Sequence, residues 1–402
     1  MSKLKIALFA PFFDGQDVGE SFVAFKFAEK LSDLVDLTLL SFRREGRPSV
    51  QDALPNARVV TWPEPELFSR FERFNAMLKP TYPLLYWKAR NWLKKEIAQG
   101  RHFDILHQVM PLPPRYPSPF NGLGIPYVLG PCGGTLSTPA GFSGEVKSDY
   151  WYTRLRNLDG IRINYDPLLR STYKNADLVL GVAPYIGEFL SSIPMKRFEV
   201  FLELGIEDVP TLPDRTDRKN FTLLHVGRGV RTKALRETVE AMALLKDYPD
   251  IMLISAGDGA ETEFCKELAE RRGVADRVSF LGKIPRSEVE TLYQAADVFV
   301  FPSFREPTGN VIYEAMRWGL PTIGANYGGP ASMLDGQSGI LLPVVDPQQL
   351  ATDTANAVLK LYRDENLRIE LGRAAQQRVA QNAIWENKIE KLLSLYEQVL
   401  RK

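Results

Sequence analysis

Two doubly wound α/β domains in tandem are what this sequence predicts, and three observations predict them. Short, apolar, β-rich runs alternate with helical ones through both halves of the chain, the pattern of parallel strands covered by helices on both faces. The 402 residues exceed the roughly 250–300 at which a single core stops growing. A Pro-rich, charged stretch without periodicity, "GIEDVPTLPDRTDRKN", interrupts the alternation just past the midpoint.

Taken in order, "KIALFAPF" reads as a first strand and "SFVAFKFAEKLS" as the helix after it. The strands "VDLTLLSF", "DILHQVM", "PYVLGP" and "ADLVLGVA" follow. The second half repeats the plan with "FTLLHVG", "IMLISAG", "RVSFLG", "DVFVFPS" and "PTIGAN". This places a first domain at residues 1–204, a linker at 205–219 and a second domain at 220–383. Past residue 383, "AIWENKIEKLLSLYEQVLRK" has apolar positions at helical spacing, so 384–402 is expected as an amphipathic helix packing back on the first domain. No repeat of solenoid period occurs.

Composition narrows the function classes. The chain is 45% hydrophobic and 25% charged with net charge +1, an ordinary globular balance. Its first 200 residues hold 25 Lys+Arg against 20 Asp+Glu, leaving 25 against 29 for the rest. No domain is basic enough for a general nucleic-acid binder. Two cysteines, Cys132 and Cys265, support neither a disulfide framework nor a zinc site, and a reducing compartment suits them. The start, "MSKLKIALFAPFF", lacks a small-residue cleavage site and is read as a strand rather than a signal peptide. No window approaches the roughly 18 apolar residues of a spanning helix. A cytoplasmic protein is expected.

Ligands of open α/β sheets bind beyond the carboxyl ends of strands, so two such domains facing each other would line a cleft with those loops. In "FPSFREPTGNVIYEA" a strand ends, Pro307, Thr308 and Gly309 make a turn, and a helix begins, with Glu306 on the lip and Glu314 about a turn inside. The first amides of that helix, at Gly309, Asn310 and Val311, lack intrahelical partners and carry the positive end of the dipole. That is an anion site. After "FTLLHVG", the loop "GRGVRTKAL" holds Arg228 and Lys233. Two cations with those amides suit a diphosphate. The plainer reading makes Arg231 and Lys233 solvated helix-start charges and Glu314 a surface residue. Paired carboxylates would also suit glycosidase acid/base work, but that leaves the cations unused. A nucleotide-linked sugar uses every group. "SAGDGAETEF" carries Gly257 and Gly259 but Thr262 where a dinucleotide fingerprint needs its third glycine, so an NAD enzyme is set aside.

In order along residues 220–345, the strand followed by "GR" and a lysine, "SAGDGAE", "RVSFLGKIPRSEVETLYQAADVFVFPS" and "EPTGNVIYEAMRWGLPTIGANYGG" resemble the family 4 retaining glycosyltransferases of GT-B fold. The resemblance continues more weakly through the N-terminal half and the Trp-bearing C-terminal helix. It implies two Rossmann-like domains facing across a cleft, the first for the acceptor and the second for the donor. It also implies roles: Glu306 on the donor sugar, Glu314 on the ribose, Arg228 and Lys233 on the diphosphate, and the backbone around Lys283 and Ile284 on the base. The first glycine loop departs from the family's adjacent pair: "FDGQDVGES" separates Gly15 from Gly19. Gly19 is assigned close approach to phosphates or acceptor, or else a plain strand-to-helix turn. His107 ends "DILHQ" and is expected to face the cleft, as a catalytic residue or a packed strand end. Gly133 and Gly134 in "GPCGGT" are a candidate cleft loop or a tight turn; His225 is read as structural.

The activity so implied is retaining transfer of a hexosyl group from a UDP- or GDP-linked sugar to a hydroxyl of a saccharide or lipid-linked acceptor, in glycan, polysaccharide or glycolipid synthesis. No cofactor and no metal is expected, since the chain has no Asp-x-Asp pair. A front-face route, with the departing diphosphate taking the acceptor's proton, makes catalysis mostly positioning and charge stabilisation. Two alternatives stand beside it: an epimerase of GT-B fold acting on the donor alone, and a non-catalytic nucleotide-sugar binding protein. Residues 67–101 hold eight Lys+Arg against two Glu among aromatics, which reads as peripheral attachment at the inner face of a membrane or as helices with a solvated basic face. Both glutamates are placed at the cleft edge, so that Gln at either is expected to leave the fold intact.

Overall fold

The computed structural model describes residues 3–17, 19–65, 75, 78–146, 158–213, 215 and 219–401. The chain forms two units. The first contains residues 1–135, 148–204 and 388–402, the second 136–147 and 205–387.

Seven parallel strands build the first unit: β1 (Lys5–Phe9), β2 (Asp36–Arg43), β3 (Arg58–Pro63), β4 (Ile105–Gln108), β5 (Tyr127–Cys132), β6 (Leu178–Gly181) and β7 (Phe198–Val200). Their order is β3-β2-β1-β4-β5-β6-β7. The second unit has six: β8 (Phe221–Val226), β9 (Ile251–Ala256), β10 (Val278–Gly282), β11 (Val298–Phe301), β12 (Thr322–Ala325) and β13 (Gly339–Leu342), ordered β10-β9-β8-β11-β12-β13. Central strands such as β4, β5, β6, β11 and β12 are buried along their whole length, as continuous apolar runs dictate. Three strands escaped the sequence reading. Each is an edge: β3 is half-buried, β7 has three residues, and β13 ends its sheet. The first helix, Glu20–Ser32, buries Val23, Phe27 and Leu31 at four-residue spacing, the core-facing stripe of an amphipathic helix.

Residues 136–147, read from sequence as part of the first domain, belong to the second unit. Phe142 is fully buried and stacks on Phe304 with ring centroids 4.2 Å apart. Glu145 pairs with Arg231 at 2.9 Å and Arg236 at 3.2 Å. Gly141 lies against the Val345 carbonyl, where a Cβ would sit 1.9 Å from the oxygen. One aromatic and one carboxylate therefore outweigh sequence position.

The stretch read as a linker, 205–219, packs on the second unit where it is described. Gly205 packs on the Trp385 ring and Ile206 bridges Ile384. Asp208 pairs with Arg317 at 2.8 Å, and Gln376 donates to the Pro210 carbonyl at 2.8 Å. Prolines make such a segment aperiodic, yet each of these contacts holds it. The terminal helix, Trp385–Leu400, changes unit after its first turn. Lys388 donates to the Leu202 carbonyl at 2.5 Å with its ammonium 4.4 Å from the centre of the Phe201 ring.

Replacing Phe142 tests the reassignment of 136–147. Phe142→Ala should destabilise the second unit by roughly 3–5 kcal/mol, the cost of emptying a buried aromatic site. Thermal melting checks it, and an unchanged transition would place the segment elsewhere.

Candidate active site

The second sheet reverses its order between β8 and β11, which are adjacent in space and separated by β9 and β10 in sequence. Their carboxyl ends form the switch point at which doubly wound sheets bind ligands. Two loops meet there. Ser303, just past β11, donates through Oγ to the Thr232 carbonyl at 2.8 Å, and His225 in β8 donates through Nε2 to the Lys233 carbonyl at 3.2 Å. The Lys233 ammonium contacts the Glu306 carboxylate directly. The Gly329 amide donates to the Glu306 carbonyl at 2.9 Å.

Neither partner of that ion pair is solvated: the side chains are 12% and 10% exposed. Burial, then the positive fields of Arg228 and Arg305, pull the Lys233 ammonium down to about 7. Contact with the Glu306 carboxylate opposes that shift by favouring the charged form. An anionic ligand would act in the same direction as Glu306. Arg228 is exposed and has no carboxylate partner among the described residues. Arg231, read as a solvated helix-start charge, is instead buried between Glu237 and Glu145. It is structural.

Gly309 has φ 96° and caps the helix Asn310–Arg317, which has no side-chain cap. A residue with a Cβ there would be strained and would place that atom 3.2 Å from Cγ of Glu306, so glycine is required both for the turn and for the glutamate beside it. Thr308 and Val311 are half-buried and Asn310 is exposed. Glu314, one turn on, accepts from the Tyr293 hydroxyl at 3.1 Å and lies 3.6 Å from Arg286. Ile284 is half-buried two residues before Arg286. The structure thus joins Lys233, Glu306 and the helix start, with Arg228 and Arg305 in electrostatic reach. Glu314 sits apart with its own partners. Since Glu306 is 8% exposed and holds a buried ammonium, the expectation that Gln there leaves stability untouched is corrected: removal of one partner leaves an uncompensated charge.

The glycines of "GRG" and "SAGDG" have a structural explanation. A Cβ at Gly257 would lie 1.8 Å from the Gly227 carbonyl oxygen, and one at Gly259 2.3 Å from that of Gly229. The two loops pack backbone to backbone, which only glycine permits.

His107 does not face an open site. It is fully buried, Nε2 donating to the Gly130 carbonyl at 2.6 Å, so that Nδ1 accepts from the Tyr396 hydroxyl at 2.6 Å. Burial pushes it down to about 4, and the neutral ring ties β4 to β5 and to the terminal helix. The catalytic expectation for it is corrected. Gly19 has φ 70° and caps the helix Glu20–Ser32, with open space where a Cβ would be. Gly133 packs on Val182, and Gly134, at φ 78°, turns the chain after β5.

Two residues at the site went unread in the sequence. Arg305 donates to Thr138 Oγ1 at 2.8 Å and adds its field to Lys233. Its adjacency to Glu306 was a usable signal; Thr138, 167 residues away, had none.

Residues 213–378 match the sequence family described as Glycosyl transferases group 1. Part of the chain is similar to D-inositol 3-phosphate glycosyltransferase of Corynebacterium urealyticum, 37% identical over 183 residues that cover 43% of this chain and 42% of that protein. It is also similar to N-acetyl-alpha-D-glucosaminyl L-malate synthase of Bacillus anthracis, 31% identical over 44% of this chain and 46% of that protein. The chain spans about half the length of the curated relatives it matches. Among solved structures, sucrose-phosphate synthase from Thermosynechococcus elongatus superposes with TM-score 0.68 at 20% identity, covering 99% of this chain and 100% of that one. Anabaena HepE, solved with UDP and glucose, gives 0.61 at 17% identity over 98% and 99%. These likenesses concern the fold, and each unit of the chain carries the doubly wound sheet that GT-B requires.

The structural role of His107 has a pH signature. Its pKa is lowered to about 4 in the folded state against 6.5 unfolded, so between those values only the unfolded chain takes the proton. Stability from this group is complete above 6.5 and is lost as pH falls to 4, on the order of 3 kcal/mol. His107→Gln, which keeps a donor for Gly130, should remove that part of the acid slope in denaturant titrations. Identical slopes in both proteins would contradict a buried neutral ring.

Proposed function

We propose that this chain is a member of the group 1 glycosyl transferases, a retaining glycosyltransferase that takes its sugar from a nucleotide-sugar donor and passes it to an acceptor hydroxyl. The observation that carries the reading is the Lys233–Glu306 contact beside an uncapped helix start at the β8/β11 switch point. In the proposed roles, Arg228 and Lys233 neutralise the diphosphate, the amides at Gly309, Asn310 and Val311 cradle its oxygens, Glu306 holds a donor-sugar hydroxyl, and Glu314 the ribose. The base lies on the backbone at Ile284. A solved neighbour holding UDP and glucose supports this class of donor. Leaving-group charge is met by Arg228 and Lys233 without a divalent cation. At roughly 1.5–3 kcal/mol per charged hydrogen bond, they account for a few powers of ten in rate.

The two glutamates separate the steps. Glu306→Gln should lower kcat strongly, because its contact tightens as the ring gains positive charge. Glu314→Gln should mainly raise the donor KM, because ribose is held alike in ground and transition states. Glu306→Gln should also melt lower, so its kinetics are measured below that transition. Donor saturation curves in excess EDTA test both claims: an effect on KM alone at Glu306, or turnover restored only by Mg²⁺ or Mn²⁺, refutes the assignment.

A lipid-linked acceptor is proposed from the helix Tyr82–Ala98, which exposes Leu84 and Trp87 on a face shared with Lys94 and Lys95. Residues 66–74 and 76–77 of the same basic segment lie outside the described residues. An aromatic among lysines suits an anionic bilayer surface. The protein should sediment with anionic vesicles more than with neutral ones at low salt, and Trp87→Ser should weaken this; equal sedimentation with both would refute it.

A further inference from the structure

Tyr293 is a buried phenol to which the donor chemistry assigns no part. It lies on the helix Arg286–Ala295 and is 1% exposed. Its ring stands edge-on to Phe299 of β11 with centroids 5.8 Å apart, and Phe299 stacks on Phe301 at 5.8 Å, so the ring is fixed to the strand that leads to Glu306. The backbone is held as well. Arg215 donates to the Tyr293 carbonyl at 3.3 Å and to the Trp318 carbonyl at 2.7 Å, tying this helix to the end of Asn310–Arg317.

A buried hydroxyl needs a partner, and two carboxylates face this one, Glu314 and Glu290. Glu290 is already engaged: it accepts from Trp318 Nε1 and lies 3.5 Å from Arg317. The Tyr293 hydroxyl donates to Glu314 Oε2 at 3.1 Å. Burial, and then the Glu314 charge, hold the phenol well above its usual range. It stays a donor at neutral pH.

Glu314 gains an orientation from this bond. Its side chain is 25% exposed, and a glutamate on a helix surface samples several staggered rotamers. A hydroxyl on a fixed ring selects one of them. The other neighbour, Arg286, cannot do the same: its side chain is 81% exposed and 3.6 Å from Oε1, too long for a hydrogen bond. Oε1 and a further lone pair of Oε2 are left to accept from a ligand. Two acceptors on one oriented carboxylate suit a vicinal diol.

We propose that Tyr293 is a positioning residue for the donor, its hydroxyl holding the Glu314 carboxylate where it accepts from both ribose hydroxyls and so gives the site its preference for ribonucleotides. This rests on the transferase reading, in which Glu314 holds the ribose. In this role Tyr293 touches no reacting atom. It acts on binding that is alike in ground and transition states, so its loss appears in the donor KM and not in kcat. Phe is the matched variant, because it keeps the ring on Phe299 and removes only the donor. Water can reach the partly exposed Glu314 in its place, so the melting temperature should change little.

Calorimetric titration of the whole chain with UDP, GDP and ADP, each against its 2′,3′-dideoxy counterpart, tests this on whichever base binds. The unaltered chain should bind the ribonucleotide about tenfold or more tighter than the dideoxy form. Tyr293→Phe should weaken the ribonucleotide by about threefold to tenfold and leave the dideoxy form unchanged, whereas a merely structural role would weaken both alike. In Glu314→Ala the selectivity should already be gone, and adding Tyr293→Phe should change it no further. Turnover of the matching nucleotide sugar by Tyr293→Phe should show a raised donor KM at the same kcat. Full selectivity in Tyr293→Phe, or equal weakening of both forms, overturns the proposal while leaving Glu314 on the ribose. Equal binding of both forms by the unaltered chain, or no binding of any nucleotide, overturns it together with the ribose assignment.

Discussion

A lysine and a glutamate 73 residues apart share one buried ion pair, and the second unit's arrangement follows from that constraint. Only a sheet that reverses its order between β8 and β11 makes their carboxyl-end loops neighbours. A buried pair contributes little net stability because desolvation offsets attraction, while breaking it is costly. Its effect is to fix geometry. The Ser303 bond to Thr232 and the His225 bond to the Lys233 carbonyl hold the backbone on both sides, so the ammonium cannot relax away without disturbing two strands.

Close backbone packing extends the same rigidity outward. Gly227 and Gly229 lie under Gly257 and Gly259 at distances no side chain tolerates. These interlocked loops set where Arg228 stands. On the other flank, residues 136–147 bring Phe142 to Phe304 and Thr138 to Arg305. Core burial and site electrostatics are therefore the work of one short segment: a single aromatic stack positions the residue that adds positive field at Lys233.

The first unit uses its buried polar groups differently. His107, Tyr396 and the Gly130 carbonyl form a closed chain of hydrogen bonds, each member satisfied within the unit, which is how a polar group persists in a core without a ligand.

Ten of the strands were legible because continuous apolar runs bounded by Gly and Pro have few other uses, and the start of the Asn310–Arg317 helix because Pro307, Thr308 and Gly309 stop a strand and permit no immediate continuation. Local chemistry by itself determined those elements, the two-unit plan and the candidacy of Arg228, Lys233, Glu306 and Glu314. It could not decide what each side chain meets. His107 has the same strand-end signature whether it faces a ligand or a tyrosine 289 residues away, and a proline-rich stretch looks the same free or docked. Membership of residues 136–147 in the second unit, the burial of Glu306 against Lys233, and the recruitment of Arg305 were decided by tertiary structure. Each depends on packing between segments far apart in the chain, and no local spacing encodes that.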